Sequence, residues 1–259
     1  MAEPRSILIT GASSGIGEAL ALAYAESGTS LALSGRDPER IEAVRAACAA
    51  KGAAARARVL EVTDAAAMAA WLAYEETTAA PDLIIANAGI SAGTGGGGES
   101  AEQAREIIAV NVDGVLNTVL PAIEHMKARR PDAQGRRGQI AIMSSLAAFR
   151  GFPGAPAYCA SKAAVRVWGE ALRGECHRYG IAVSVICPGY VRSRMTEKNR
   201  FRMPFLMDAE RAASIIRRGL ERDRPRIAFP WPMSALIWWL SALPPAATDR
   251  MMRRLPKKE

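Results

Sequence analysis

The stretch ILITGASSGIG, Ile7 to Gly17, decides how this chain is read. A short apolar run, Ile7 to Thr10, passes directly into a glycine-rich turn, and a helical pattern, Ile16 to Ser27, follows at once. Glycines at such a strand-to-helix turn let the backbone bend sharply and come close to a phosphate group, while the helix N-terminus presents unpaired N–H groups and partial positive charge. The turn alone is a weak signal; its place after the first strand gives it weight. Outward from it, apolar runs alternate with helical segments. Strands are predicted at Ser30 to Ser34, Val59 to Val62, Leu83 to Asn87, Gln139 to Ser144, Val183 to Cys187 and Arg226 to Phe229. Helices are predicted at Pro38 to Lys51, Asp64 to Ala79, Ala101 to Ala128, Pro156 to Tyr179 and Asp208 to Arg222, and the Ala-rich stretch from Ala46 to Ala57 reads as a helix and its exit. This βα alternation predicts an α/β fold, a doubly wound parallel sheet covered by helices on both faces.

The bulk numbers agree with one folded body: 259 residues, 49% apolar and 23% charged. The division expected is a domain over residues 1–230 and a C-terminal apolar and basic extension over 231–259. Cys48, Cys159, Cys176 and Cys187 show no CxxC pairing, so buried free thiols are expected rather than a disulfide frame or a metal site. The N-terminus lacks a long apolar signal segment, and a reducing, cytoplasmic setting follows as an expectation. The net charge of +8 is uneven: residues 1–191 carry −1 and residues 192–259 carry +9. That asymmetry points to a local partner surface rather than to general solubility, and no nucleic acid partner is expected. Gly93 to Gly98 and Arg129 to Gly138 read as loop insertions.

The second informative stretch is Tyr158-Cys159-Ala160-Ser161-Lys162, where a four-residue helical step puts Tyr158 and Lys162 on one face. A phenol with a reference pKa of about 10 is a poor acid-base catalyst at neutral pH, and a nearby ammonium favours its phenolate. Taken alone, such a pair also fits a solvated helix face.

Taken together, TGxxxGxG, the tripeptide Asn87-Ala88-Gly89, Asn111 in a following helix, a serine ahead of the Tyr158 and Lys162 pair, and Pro188-Gly189 after the next strand resemble the short-chain dehydrogenase/reductase family over about residues 5–230. The resemblance implies a Rossmann-like single domain with a C-terminal helical extension, and an oxidoreductase that interconverts a carbonyl and an alcohol. It implies that Gly11, Gly15 and Gly17 form the phosphate turn, lined by Ser13, Ser14 and Ile16, and that Asn87, Ala88 and Gly89 lie beside the adenosine ribose. Ser145, Tyr158, Lys162 and Asn111 become the catalytic candidates, Ser145 because the family's serine stands thirteen positions before the tyrosine. Tyr158 is then the acid, Lys162 lowers its pKa and binds the nicotinamide ribose, and Asn111 holds a water. Pro188, Gly189, Val191 and Ser193 would meet the nicotinamide. Three positions depart from the pattern: Glu61-Val62 stands where aspartate is frequent, Ala148 where glycine is, and Ser193 where threonine is.

The end of the second strand reads on the cofactor. An acidic residue there would bond a free ribose 2′-OH, whereas this chain has Arg36, whose guanidinium suits a 2′-phosphate. Asp37-Pro38 reads as a helix cap and first turn. NADP(H) is expected over NAD(H), with no metal, and His125 and His177 fall away from every motif. A catalytically silent sensor or scaffold on the same fold is the rival, although it would be expected to lose the serine, tyrosine or lysine; epimerases on related folds are another. The segment from Tyr190 to Met207, with Phe201, Met203, Phe205, Leu206 and Met207, suggests a lid over a hydrophobic carbonyl or alcohol substrate, and its bland reading is a lid whose Arg192, Arg194, Lys198, Arg200 and Arg202 are simply solvated. The extension predicts a short helix near Met233 to Leu243, then Arg250, Arg253, Arg254, Lys257 and Lys258. It is too short to span a bilayer, and peripheral membrane contact through 231–259, packing over the pocket, and contact with a second subunit of a dimer or tetramer all stay open.

Overall fold

Alternate residues of the first strand belong to opposite sides of one sheet: Ile7 and Ile9 pack in one cluster with Leu31, Leu33 and Ile85, and Leu8 packs in another with Ala32, Ile84 and Ile140. Both faces of the central strands are therefore apolar, which is why they read as continuous apolar runs. The computed structural model describes residues 4–91, 98–197, 203–244 and 246–248. Residues 93–97 of the glycine run, Lys198, Arg200, Phe201 and Arg202 of the expected lid, and all five basic residues at 250–258 lie outside the described residues.

The strands are β1 (Ser6–Ile9), β2 (Ser30–Gly35), β3 (Ala54–Val59), β4 (Leu83–Ala86), β5 (Gly138–Met143), β6 (Ile181–Pro188) and β7 (Arg226–Phe229). They form a sheet of order β3-β2-β1-β4-β5-β6-β7, with every neighbouring pair parallel. The helices are α1 (Gly15–Tyr24), α2 (Pro38–Ala50), α3 (Ala65–Ala79), α4 (Ala101–Ile108), α5 (Gly114–Ala128), α6 (Pro156–His177), α7 (Arg194–Glu197), α8 (Ala209–Glu221) and α9 (Trp231–Ala242). Helices α1 and α8 pack together over one face and α3 and α5 over the other, so the strand order reverses between β1 and β4 and opens a crevice at the C-terminal strand ends.

The third strand is displaced from its expected place. It spans Ala54–Val59, not Val59 to Val62, so the Ala46 to Ala57 stretch divides between α2 and β3. As the sheet's edge, β3 has one neighbour, β2, in register from Ser30 opposite Ala54 to Gly35 opposite Val59. An edge strand is half-exposed and needs no apolar run, so arginines alternate with alanines there. Arg56 reaches back to the buried Glu75, 2.6 Å away, which also accepts the Trp71 indole N–H.

The expected helix from Ala101 to Ala128 is continuous but changes pitch: α4 and α5 are joined by a π-helical turn, Ala109–Asp113. By length and composition this helix could cross a membrane, with a mean hydropathy of 1.4, yet half of its apolar window is packed inside the domain. Val115, Val119, Ala122 and Met126 are core residues.

Candidate active site

Space, more than side chains, defines the end of β1. Gly11 and Gly15 have φ of +65° and +59°, the left-handed region that favours glycine. Gly17 has no such constraint; a Cβ there would lie 2.3 Å from the Gly11 carbonyl oxygen. The turn is braced from β4: the Asn87 amide donates to the carbonyls of Thr10 and Gly11, both at 3.0 Å. In return the Thr10 hydroxyl accepts the backbone N–H groups of Asn87 and Ala88 at 3.1 and 3.2 Å. Asn87 thus has a bracing task that the sequence reading did not assign, and Thr10 is a site residue it missed.

Helix α1 starts at this turn without a side-chain cap from Ser14, whereas α2, α3 and α4 are capped by Asp37, Asp64 and Ser100. An uncapped first turn whose approach is kept clear by glycines fits the phosphates of a dinucleotide. Ser13 packs against Gly35, where a Cβ would meet its Cβ at 2.9 Å, and Ile16 turns toward the core. At the exit of β2, Arg36 is exposed and has no hydrogen bond or ion pair among the described residues. Asp37 is committed to the α2 cap, accepting the Arg40 N–H at 3.0 Å, and this bond to the backbone holds its carboxyl below the usual range. Glu61 is exposed and Val62 buried; Val62 abuts Gly114, where a Cβ would come within 2.5 Å of its Cγ2.

Across the crevice, β5, α6 and the π turn converge. Ser145 follows β5, and its hydroxyl accepts the Ala147 N–H at 3.1 Å and lies 3.5 Å from the Pro188 carbonyl oxygen. Ser144 faces the other way and donates to the Lys162 carbonyl at 2.8 Å, a buried structural bond. Lys162 is itself buried, with Nζ donating to the Met143 carbonyl at 2.9 Å and standing 6.0 Å from the Tyr158 ring centre.

The titration of the pair differs from the expectation. Burial pushes the Tyr158 phenol up, against the opposing pull of the nearby Ser145 hydroxyl. Burial also drives Lys162 down to about 8, and its ammonium is engaged with a carbonyl, so it does not set the phenol's pKa here.

Asn111 is brought in by the π turn, which widens the helix by one residue at this point. Its Oδ1 accepts the Ile90 N–H at 2.7 Å, and its amide donates to the Ile90 carbonyl at 2.9 Å and to Ser161 Oγ at 3.0 Å. Asn111 Oδ1 and Lys162 Nζ each lie 3.1 Å from the point a Cβ on Gly89 would occupy, so Gly89 keeps a gap open between them. Ser161 is a second missed residue; its place inside the Tyr158 to Lys162 stretch was the available signal.

The chain beyond β6 closes over the glycine turn. Ser193 lies where a Cβ on Gly15 would meet it at 2.9 Å, and Thr196, a third missed residue, donates to the Val191 carbonyl at 2.9 Å and accepts the Ser193 N–H at 2.9 Å. Gly189 donates to the Phe229 carbonyl at 2.7 Å, and a Cβ there would touch Met233 of α9 at 3.0 Å. A cavity of about 620 Å³ is lined by Ala147, Phe149, Arg150, Phe152, Cys159 and Ala163 among others, and Ser145, Tyr158 and Lys162 are not part of its lining. His125 and His177 sit in the last turns of α5 and α6. All four cysteines are buried free thiols, and among the described residues no cluster of His, Cys, Asp and Glu could hold a metal ion.

Residues 5–203 match the family model for short chain dehydrogenases. The chain is 35% identical over 252 residues to an uncharacterized oxidoreductase of Myxococcus xanthus, covering 97% of each. Among solved structures it resembles the apo form of LigD from Sphingobium, with a TM-score of 0.77 at 25% identity over 97% of each chain. A short-chain type dehydrogenase/reductase from Mycobacterium marinum aligns with a TM-score of 0.75 at 26% identity, over 86% of this chain and 92% of that one. A tyrosine, a lysine and a serine gathered opposite a glycine-lined turn at the switch point of a parallel sheet are thus found in a chain that belongs to the short-chain dehydrogenase/reductase family of oxidoreductases.

Proposed function

We propose that this protein is an NADP(H)-dependent oxidoreductase interconverting a hydrophobic ketone or aldehyde with its alcohol. The observation that carries this reading is the buried Lys162, one helical turn from Tyr158 and bordering with Asn111 the gap that Gly89 keeps open, with the Ser145 hydroxyl near enough to pull on the Tyr158 phenol. The nicotinamide cofactor, when bound, supplies or accepts the hydride. Gly11, Gly15 and Gly17 would hold its phosphates, with Ser13, Ser14 and Ile16 at the rim. Asn87, Ala88, Gly89, Glu61 and Val62 would border the adenosine, and Pro188, Gly189, Val191 and Ser193 the nicotinamide.

The chain's own residues move the proton. Because burial raises the phenol's pKa, Tyr158 holds its proton at neutral pH, the form that carbonyl reduction needs. Ser145 and Tyr158 donate to the same substrate oxygen, so charge developing there meets two oriented donors. Lys162, with a pKa of about 8, is mostly an ammonium at neutral pH and can donate to a ribose hydroxyl. Asn111 Oδ1 and Lys162 Nζ border a gap suited to one water, a route for returning the proton to Tyr158.

The phosphate-specific choice rests on Arg36, exposed and unpaired among the described residues, beside an Asp37 already committed to its helix. The exposed Phe205 and its neighbour Leu206 after β6 support an apolar substrate. Residues 1–230 form the catalytic unit in this reading, working as a dimer or tetramer in the cytoplasm; exposed Leu120 and Val167 on α5 and α6 support a homo-oligomer. The test is NADPH consumption with a panel of ketones and aldehydes. Wild type should turn over apolar members, and Tyr158→Phe should bind NADPH but lose about 10²–10⁴-fold in kcat. NADPH binding without turnover of any carbonyl would favour the sensor reading, and full turnover by the variant would remove Tyr158 as the acid.

A further inference from the structure

Helix α6 begins without a cap of its own. Ala155, just before its first turn, has φ −151° and ψ 49° and makes no side-chain hydrogen bond, and Pro156 in the first position has no N–H. The first donor left to satisfy is therefore the Ala157 N–H, one residue before Tyr158. It is taken by a residue 58 positions upstream: Glu99 accepts it through Oε2 at 2.8 Å. The next residue, Ser100, caps α4 by accepting the Gln103 N–H at 3.1 Å, so two consecutive residues close the starts of two helices that pack together. A second tie lies one turn further along α6, where Asn111 donates to Ser161 Oγ at 3.0 Å and Ser161 donates to the Tyr158 carbonyl at 2.8 Å. Tyr158 thus stands between two points at which α6 is bound to the segment from Glu99 to the π turn.

We infer that Glu99 is a positioning residue for the reaction: by capping α6 at Ala157 it fixes the turn that carries the Tyr158 phenol. The inference rests on the proposed reaction, with Tyr158 as its acid. The segment that leads into α6 cannot hold this turn, since Gly151, Pro153 and Gly154 supply no capping side chain and Gly154 has φ of +89°. The cap comes instead from the connection between β4 and α4, the same connection that contains Gly89 and its gap. A carboxylate suits the place, because the start of a helix carries partial positive charge. Its charge also reaches the neighbour of Tyr158: burial pushes the Cys159 thiol up, and Glu99 adds to the rise. The other oxygen of Glu99, Oε1, is shielded from solvent with no hydrogen-bond partner among the described residues, a cost that a cap serving stability alone has no need to carry. A misplacement of about 1 Å in a reacting group lowers the rate by about 10²-fold, so a loosened first turn is felt in kcat before cofactor binding.

The test compares Glu99→Ala, Glu99→Gln and, as the loss of a cap on a different helix, Asp64→Ala at the start of α3, where Asp64 accepts the Ala67 N–H at 2.9 Å. In amide hydrogen exchange of the cofactor-free protein, protection of residues 155–162 should fall on the order of tenfold in Glu99→Ala and return in Glu99→Gln, whose amide oxygen accepts the same N–H. With NADPH and a carbonyl compound that wild type reduces, Glu99→Ala should lose about 10- to 100-fold in kcat, with the KM for NADPH kept within about twofold. Glu99→Gln should stay within about threefold of wild type in kcat, and Asp64→Ala should keep wild-type kcat although it lowers the unfolding midpoint as Glu99→Ala does. Unchanged exchange in Glu99→Ala overturns the inference whether or not any carbonyl is reduced. So does a wild-type kcat in Glu99→Ala, which leaves the reaction standing, or an equal kcat loss in Asp64→Ala, which would make the effect one of stability. Failure of wild type to reduce any carbonyl overturns the proposed reaction instead, and the exchange result then decides alone whether Glu99 holds the Tyr158 turn.

Discussion

The two sides of the crevice are built on opposite principles. On the β1 side the site is made by missing atoms: Gly11, Gly15 and Gly17 leave room, and a Cβ at Gly17 would strike backbone at 2.3 Å. On the β5 and α6 side it is made by side chains held in hydrogen bonds, Ser145 to Ala147, Lys162 to Met143 and Asn111 to Ile90. The first side can bind but offers no group to exchange a proton; the second can exchange protons but has no cradle for a large anion. Affinity and turnover should therefore separate by side.

The largest expected break of that contrast is Gly17→Ala, where the neighbour that must yield is backbone. It should cost on the order of 3–5 kcal/mol of stability by denaturant unfolding and abolish cofactor binding. A stable variant that still binds would show the turn to be looser than it looks. Next, Ser145→Ala should lose about 10²–10³-fold in kcat with cofactor affinity kept. Its neighbour Ser144→Ala should cost about 1 kcal/mol of stability and little turnover, and a reversed pair of results would exchange the two serines' roles.

Third in size is a pH effect on the cofactor-free protein. Lys162 has its pKa lowered by burial from 10.5 to about 8, so between those values the unfolded chain holds this proton more firmly than the folded one. On this account stability rises with pH across the window, by about 3 kcal/mol in all, and is lost as pH falls back through 8. Urea unfolding at stepped pH should find the rise in wild type and not in Lys162→Met. A further effect tests the rim of the cradle: Arg36→Ala should weaken NADPH by roughly 10- to 100-fold, the range of a charge-assisted bond, and barely change NADH. Equal losses by titration would mean Arg36 does not read the 2′ position.

Much of this was legible in the chain itself, because it depends on short-range rules. A strand entering a glycine turn, the four-residue step from Tyr158 to Lys162, the opposite directions of Ser144 and Ser145, and the capping of α2 by Asp37 all follow from local geometry. Other features were decided only when distant segments met. Strand β3 lies upstream of the apolar run because an edge strand has one neighbour to satisfy, a property of its place in the sheet and not of its residues. The upward shift of Tyr158 and the downward shift of Lys162 come from burial, which depends on everything packed around them. Asn111 meets Ile90 because a π turn inside a long helix adds one residue, and α9 joins the site because Gly189 leaves room for Met233. Local periodicity says which atoms a segment offers; the dielectric around them and the partners they meet are set by the assembled fold.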